Sequence, residues 1–181
     1  MNRELLVRFF SDYQSAYDDE AVFIPGFLEL LKQSTCFERT HLPGHITGSA
    51  WVVDPSYTQT LLVHHAKLNK WVQPGGHADG DENILQVALR EAEEETGLKN
   101  LRVVSTTPFD VDIHLIPKRT DFPEHFHFDI RFLLEASLDD KIIVSDESHD
   151  VKWITLESLE DYNPERSVLR MKIKSLRANQ Q

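Results

Sequence analysis

The segment that decides the fold is residues 76–98, which read GHADGDENILQVALREAEEETGL. Apolar residues recur through its middle at helical spacing. The expected buried arc consists of Ile84, Leu85, Ala88, Leu89 and Ala92. Asp81 is placed to cap the start of this helix and Gly97 to end it, so the sequence predicts a helix over residues 82–96.

Four glutamates crowd the last turns of this helix. At 100° per residue, Glu91, Glu94 and Glu95 share one face, whereas Glu93 points nearly opposite. Like charges at these spacings each cost a few tenths of a kcal/mol, and they lie near the negative end of the helix dipole. A hard cation such as Mg²⁺, which prefers oxygen ligands, would balance them. The alternative is a solvated acidic face.

The same segment matches the Nudix box, G-x5-E-x7-R-E-U-x-E-E-x-G-U with U apolar, at every fixed position. Those positions are Gly76, Glu82, Arg90, Glu91, Glu94, Glu95 and Gly97, with Ala92 and Leu98 as the apolar residues. The chain therefore resembles a Nudix hydrolase. Trp71–Gly76 is similar to the family's short strand before the box, and Val151–Ile154 to its last strand, so the resemblance spans roughly residues 48–162.

The resemblance implies an α/β fold with a mixed β-sheet sandwiched between helices. The residue pattern points the same way, because apolar and alternating runs that predict strands are interleaved with helical segments. These runs are Ala50–Val53, Leu61–Val63, Leu101–Ser105, Phe109–Leu115, Phe126–Leu134 and Val151–Ile154. We expect one domain, with an N-terminal helical extension (1–35), a Nudix core (36–162) and a C-terminal helix (163–181).

The N-terminal extension carries an apolar stripe of its own. Its members recur at spacings of three and four: Leu6, Phe9, Phe10, Tyr13 and Tyr17. The stripe either packs on the domain's own core or forms a homodimer contact. The sequence does not separate these two interpretations.

What the resemblance implies chemically is a hydrolase that uses Mg²⁺ or Mn²⁺ to cleave the diphosphate bond of a nucleoside diphosphate linked to another moiety. The attacking group would be a metal-activated water. Carried over by position, the metal ligands would be Glu91, Glu94, Glu95 and the carbonyl of Gly75. Arg90 would pair with Glu82 and orient the carboxylates, while Gly76, Glu82 and Gly97 would keep the motif in shape.

A further acid is expected upstream of the last strand, where many relatives place a metal ligand or a general base. Glu147 lies six residues before Trp153 and is the candidate for this role. Removal of a proton from the attacking water needs a carboxylate within reach. Glu91 and Glu147 both qualify, and the sequence does not choose between them.

Nine histidines are many for a chain of this length. The candidates for substrate contact are His77, His125, His127 and Arg131. His125 and His127 alternate on one strand face together with Asp129, from which they could reach the same site as the box glutamates. Zinc would need a third nitrogen or sulfur ligand, and the adjacent His64 and His65 point to opposite sheet faces. Ordinary hydrogen-bonded histidines are the alternative.

The composition narrows the classes of partner that we expect the chain to bind. The net charge of −11, from 19 basic and 30 acidic residues, predicts that the chain binds neither nucleic acid nor an anionic membrane. The longest uncharged run, Thr40–Val53, is shorter than the roughly 18 residues of a membrane-spanning helix. A lone cysteine, Cys36, suits a reducing compartment, and no signal peptide is evident, so we expect a cytoplasmic protein.

Two functions compete at this stage. The first is the hydrolase, and the second is a non-catalytic Nudix-fold module that binds or senses a nucleotide. Loss of the box glutamates would be expected of a binding module. Here the box is intact, which favours the enzyme.

Overall fold

The computed structural model describes residues 1–120 and 122–179. Within them, three short helices precede the sheet: α1 (Arg3–Asp12), α2 (Asp18–Ala21) and α3 (Ile24–Leu30). The strands are β1 (Gly44–Val53), β2 (Gln59–His65), β3 (Lys70–Val72), β4 (Gly75–His77), β5 (Arg102–Val103), β6 (Asp110–Ile116), β7 (His125–Glu135) and β8 (Ser148–Thr155). Helix α4 (Ile84–Thr96) lies between β4 and β5, and α5 (Leu159–Tyr162) and α6 (Arg166–Ala178) end the chain.

The sheet is built around β1. This strand runs parallel to β7 along its whole length, from the pair Gly44–Phe126 to the pair Val53–Glu135. Strands β5 and β6 are antiparallel to β7, whereas β4 and β2 are antiparallel to the other edge of β1. Strand β2 in turn lies between β3 and β8. The predicted mixed sheet is confirmed.

Helices cover both faces of this sheet. The backbone of β1 at Gly48 lies against Ile84 and Val87, so one face of β1 packs on α4. Residues of the opposite face alternate with these, and among them Trp51 donates a hydrogen bond of 2.7 Å to Ser175 of α6. The α/β sandwich expected from the sequence is therefore observed.

The N-terminal stripe packs on the domain's own core. Leu6 and Phe10 of α1 are fully buried, and the ring of Phe10 stacks on Phe27 of α3 at 4.8 Å. Phe27 meets Phe128 of β7 edge to face, with ring centroids 5.4 Å apart. This packing accounts for the buried members of the stripe, and the homodimer stays a prediction.

Helix α4 begins two residues later than predicted. Its N-cap is Asn83, and the Asp81 carboxylate accepts a hydrogen bond from the Asn83 amide instead of capping the first turn. The helix ends as expected at Gly97, whose φ of 73° lies in the left-handed region that glycine adopts without strain. No helix in the described ranges has both the length and the apolar character to cross a bilayer.

A buried ionic network lies between the sheet and α6. Arg131 of β7 is 3% exposed and pairs with Asp129 at 2.8 Å, with Asp110 at 3.2 Å and with Asp112 at 3.3 Å. Arg170 of α6 pairs with the same Asp110 at 2.8 Å. The sequence made Arg131 a candidate for substrate contact, and that role stays a prediction. In the structure three aspartates pair with its charge.

Candidate metal and catalytic site

The carboxylates of α4 gather where its last turns approach β4. Glu95 is 6% exposed and accepts a hydrogen bond of 2.9 Å from the backbone amide of Gly75. Burial is the main cause that raises the pKa of Glu95 to about 8; the Gly75 bond lowers it, and the nearby charges of Glu91, Glu147 and Glu94 add to the rise. The buried carboxylate is therefore poorly compensated by the described protein groups.

Glu91 lies against the glycine that opens the box. A Cβ atom at position 76 would approach the Glu91 carboxyl carbon to 2.5 Å, so Gly76 is the residue that allows this contact. Burial is the main cause that raises the pKa of Glu91, and Glu94 and Glu147 add to it. The close approach explains why a residue without a side chain stands at this position.

Arg90 supplies the positive charge within the box. Its guanidinium lies 2.7 Å from Glu91 and 3.4 Å from Glu94, and it donates a 3.1 Å hydrogen bond to the carbonyl of His77. The predicted partner, Glu82, pairs instead with Arg3 of α1 at 2.9 Å. That correction follows from the N-terminal extension, which brings a second arginine to the box. Arg90 contacts the box carboxylates Glu91 and Glu94, and its role in orienting them stays a prediction.

Glu147 lies in the loop before β8, and its side chain is exposed. Its charge raises the pKa of both Glu91 and Glu95, so the loop holds it near the box. The same charge also acts on Arg39, which pairs with Asp79. The charge of Glu147 thus acts on the box glutamates, and the four predicted acids, Glu91, Glu94, Glu95 and Glu147, are here called the acidic cluster; their shared role as ligands stays a prediction.

The oxygen donors of this acidic cluster are of the kind that a hard divalent cation prefers, although in the described residues they do not converge within 4.8 Å of one another as the ligand atoms of His45, His77 and His127 do. Its members offer carboxylate oxygens. The hydrogen bond from the Gly75 amide to Glu95 holds the backbone of β4 against this carboxylate. The arginine that pairs with the cluster, Arg90, is half exposed and contacts two of its members. A cation would relieve the repulsion among these carboxylates, which adds to the effect of burial in raising the pKa of Glu91 and Glu95.

The histidines predicted to contact substrate lie on the sheet face opposite α4. In the parallel pairing His127 is in register with His45, and His77 is in register with Thr47, two residues further along β1. His45 was not among the predicted residues. The register of β1 against β7 brings it into the group, and a single sequence does not give that register.

For three of the histidines on this face, burial favours the neutral form. Burial lowers the pKa of His45 and His77 to about 4 and that of His127 to about 2. His125 is buried as well, and its Nδ1 donates to the carbonyl of Pro123 at 2.8 Å. The predicted substrate contacts of His77, His125 and His127 stay predictions.

Fold and site together define an α/β protein in which one helix presents clustered carboxylates to a glycine-containing strand. The profile of the NUDIX domain matches residues 45–172, well over half of the chain. The chain therefore belongs to the Nudix family, and it is a pyrophosphate-bond hydrolase.

Relatives and solved structures agree with this assignment. The chain is 30% identical over 107 residues to the asymmetrical bis(5'-nucleosyl)-tetraphosphatase of Rattus norvegicus, covering 58% of this chain and 69% of the relative. It is 40% identical over 57 residues to the m7GpppN-mRNA hydrolase NUDT17 of Xenopus laevis, covering 29% of this chain and 19% of that protein. A Nudix-family hydrolase from Clostridium perfringens shares the fold, with a TM-score of 0.58 at 22% identity over 72% of this chain and 95% of that one.

Proposed function

We propose that this chain is a divalent-metal-dependent hydrolase that cleaves the diphosphate bond of a nucleoside diphosphate linked to another moiety. The observation that carries the proposal is the buried carboxylate of Glu95, whose pKa is raised to about 8 among three further acids. Such a group calls for a cation, and the substrate class is itself anionic.

Glu91, Glu94 and Glu95 are the proposed ligands of Mg²⁺ or Mn²⁺, together with the carbonyl of Gly75, and Glu147 is proposed either as a further ligand or as the base. When bound there, a divalent cation would neutralise the diphosphate and lower the pKa of the attacking water. Arg90 keeps Glu91 and Glu94 in position through its ion pairs. Glu95 is fixed by the Gly75 amide.

A carboxylate then accepts the proton of the attacking water. Glu91 and Glu147 are the two candidates, and both lie in the acidic cluster. Glu91 is half-buried and paired with Arg90, whereas Glu147 is exposed on a loop. A ligand held by an arginine is less free to act as base, which supports Glu147 as the base and Glu91 as a ligand.

A dinucleoside polyphosphate is the substrate to test first, because an asymmetrical bis(5'-nucleosyl)-tetraphosphatase is among the relatives that share the box region. Nucleoside triphosphates, nucleotide sugars and CDP-alcohols complete the panel. Each substrate is incubated with about 5 mM Mg²⁺ or Mn²⁺, a level suited to sites that share the ion with phosphate. A coupling phosphatase makes products without free phosphate visible.

The matched pair of variants is Glu94→Gln and Glu93→Gln. Glu94 faces the cluster, whereas Glu93 lies on the same helix and its carboxylate is 3.9 Å from Lys99. We expect metal-dependent turnover by the wild type and by Glu93→Gln, and a loss of several orders of magnitude in Glu94→Gln. Retained turnover in a folded Glu94→Gln protein would remove this site assignment.

A further inference from the structure

Five histidine rings form a continuous group on the sheet face opposite α4, here called the histidine cluster. Its members are His45, His77, His114, His125 and His127. Neighbouring ring centroids lie 5.0 to 5.5 Å apart. None of these side chains has a part in the hydrolysis described above, so the cluster needs an explanation of its own.

Three of the rings converge on one point. His45, His77 and His127 each offer a ring nitrogen, and the three nitrogens lie within 4.8 Å of one another. On tetrahedral Zn²⁺, ligand nitrogens at 2.0–2.1 Å from the ion lie about 3.3 Å apart. The three residues lie on neighbouring strands β1, β4 and β7, so their side chains share one face of the sheet.

The hydrogen bonds of His45 leave one nitrogen free. Its Nδ1 lies 3.3 Å from the carbonyl oxygen of His41, which can only accept, so the proton is on Nδ1. Its Nε2 is buried and has no hydrogen-bond partner among the described residues. The residue is 0% exposed. A metal-ligating histidine typically donates one ring N–H to a carbonyl and binds the metal with its other nitrogen. The hydrogen bond and the unpartnered Nε2 of His45 match this arrangement.

A second pair of ring nitrogens lies within hydrogen-bond distance. His125 donates its Nδ1 proton to Pro123, and its Nε2 lies 3.3 Å from Nε2 of His127. Two ring nitrogens at this distance repel unless a proton or a cation lies between them. The spacing equals the separation expected for two imidazoles on one zinc ion. His125 is therefore the nearest candidate for a fourth position.

The donor chemistry also separates this group from the acidic cluster. Imidazole nitrogens are ligands that Zn²⁺ prefers. The acidic cluster, by contrast, offers oxygen donors that suit Mg²⁺ or Mn²⁺.

We propose that His45, His77 and His127 form a second metal site, specific for a nitrogen-preferring ion of the Zn²⁺ type and separate from the acidic cluster. This site joins β4 to β1 and β7. Strand β4 also carries Gly75 and Gly76, which contact Glu95 and Glu91. A zinc ion would thus hold in place the strand on which the box carboxylates rest.

The test uses the full chain, stripped of metal and returned to buffer that contains about 5 mM Mg²⁺ to fill the carboxylate site. Zn²⁺ is titrated in competition with a chromophoric chelator. Co²⁺ serves as a spectroscopic probe, since it absorbs in the visible range when its coordination is tetrahedral. The variants are His77→Gln and His127→Gln. The control is His149→Gln, because His149 is exposed and meets His64 edge to face, outside the cluster.

We expect one equivalent of Zn²⁺ to bind in the presence of Mg²⁺, a Zn²⁺-dependent rise in the unfolding temperature, and visible Co²⁺ bands. Each cluster variant should weaken Zn²⁺ at least about 100-fold, whereas His149→Gln and Glu94→Gln should bind it normally. The proposal is overturned if Mg²⁺ prevents Zn²⁺ binding, or if Glu94→Gln loses it while the cluster variants retain it. The Glu94→Gln result also separates this site from the proposed hydrolase site.

Discussion

Replacing Glu95 by Gln should stabilise the metal-free protein while it destroys the metal site. The carboxylate is 6% exposed, and its pKa is raised from the ordinary value of 4.5 to about 8. A difference of that size corresponds to about 5 kcal/mol between the two protonation states. Gln keeps an acceptor for the Gly75 amide but carries no charge.

The sign follows from linkage. Because the folded state holds this proton more tightly than the unfolded state does, Glu95 costs no stability below its ordinary pKa. The metal-free protein then loses stability as the pH rises from about 4.5 to about 8. At pH 8 we expect Glu95→Gln to raise the free energy of unfolding by about 3 kcal/mol, since the amide still has to be desolvated. For a chain of this size that is about 6–12 °C in the unfolding temperature.

The assay is thermal unfolding of wild type, Glu95→Gln and the control Glu93→Gln in EDTA and in Mg²⁺, at pH 5 and pH 8. In EDTA the gain should be present at pH 8 and nearly absent at pH 5. Mg²⁺ should stabilise the wild type and Glu93→Gln but not Glu95→Gln. The reasoning is refuted if Glu95→Gln is destabilised in EDTA at pH 8, or if Mg²⁺ stabilises it as much as the wild type.

Three further substitutions test other parts of the account. Arg131→Met leaves buried carboxylates unpaired and should lower the free energy of unfolding in urea by about 3–5 kcal/mol; an unchanged midpoint would contradict the buried network. Arg3→Ala removes hydrogen bonds to Glu82 and to backbone carbonyls, so we expect a loss of about 1–2 kcal/mol in urea unfolding with unchanged kcat. Gly76→Ala displaces the Glu91 carboxylate and should lower kcat at least about 100-fold in a folded protein; wild-type turnover would show that the contact is dispensable.

The sequence predicted the parts of the fold that depend on local pattern. Helical spacing predicted α4, and the positive φ of Gly97 confirmed its end. Alternation predicted β6 and β7, and apolar runs predicted the buried strands. These features follow from neighbours along the chain, which is why one sequence was enough to place them.

Long-range pairing was not predictable in the same way. Arg90 was expected to pair with Glu82, but Arg3 reaches Glu82 from a helix nearly eighty residues earlier. The charge of Arg131 read as substrate-facing, because the sequence does not show that three aspartates surround it. His45 was missed because its partnership with His127 depends on the register of two parallel strands.

The acidic cluster was predictable from the sequence only in part. Helical spacing alone placed Glu91, Glu94 and Glu95 on one face, and the structure adds the contacts of Glu95 with Gly75 and of Glu91 with Gly76. Glu147 was located by its distance from Trp153 along the chain. The structure supports its position through the effect of its charge on the pKa of Glu91 and Glu95.

The most direct test of the central claim is the rate of multiple turnover as a function of Mg²⁺ concentration, with enzyme far below substrate and with the best substrate of the panel. We expect many turnovers per molecule. The rate should vanish in EDTA and return with Mg²⁺ or Mn²⁺. It should be lost in Glu94→Gln but not in Glu93→Gln. Metal-dependent hydrolysis would be contradicted if the chain turned over no substrate at any metal concentration while nucleotides still raised its unfolding temperature. That result would identify a binding module instead.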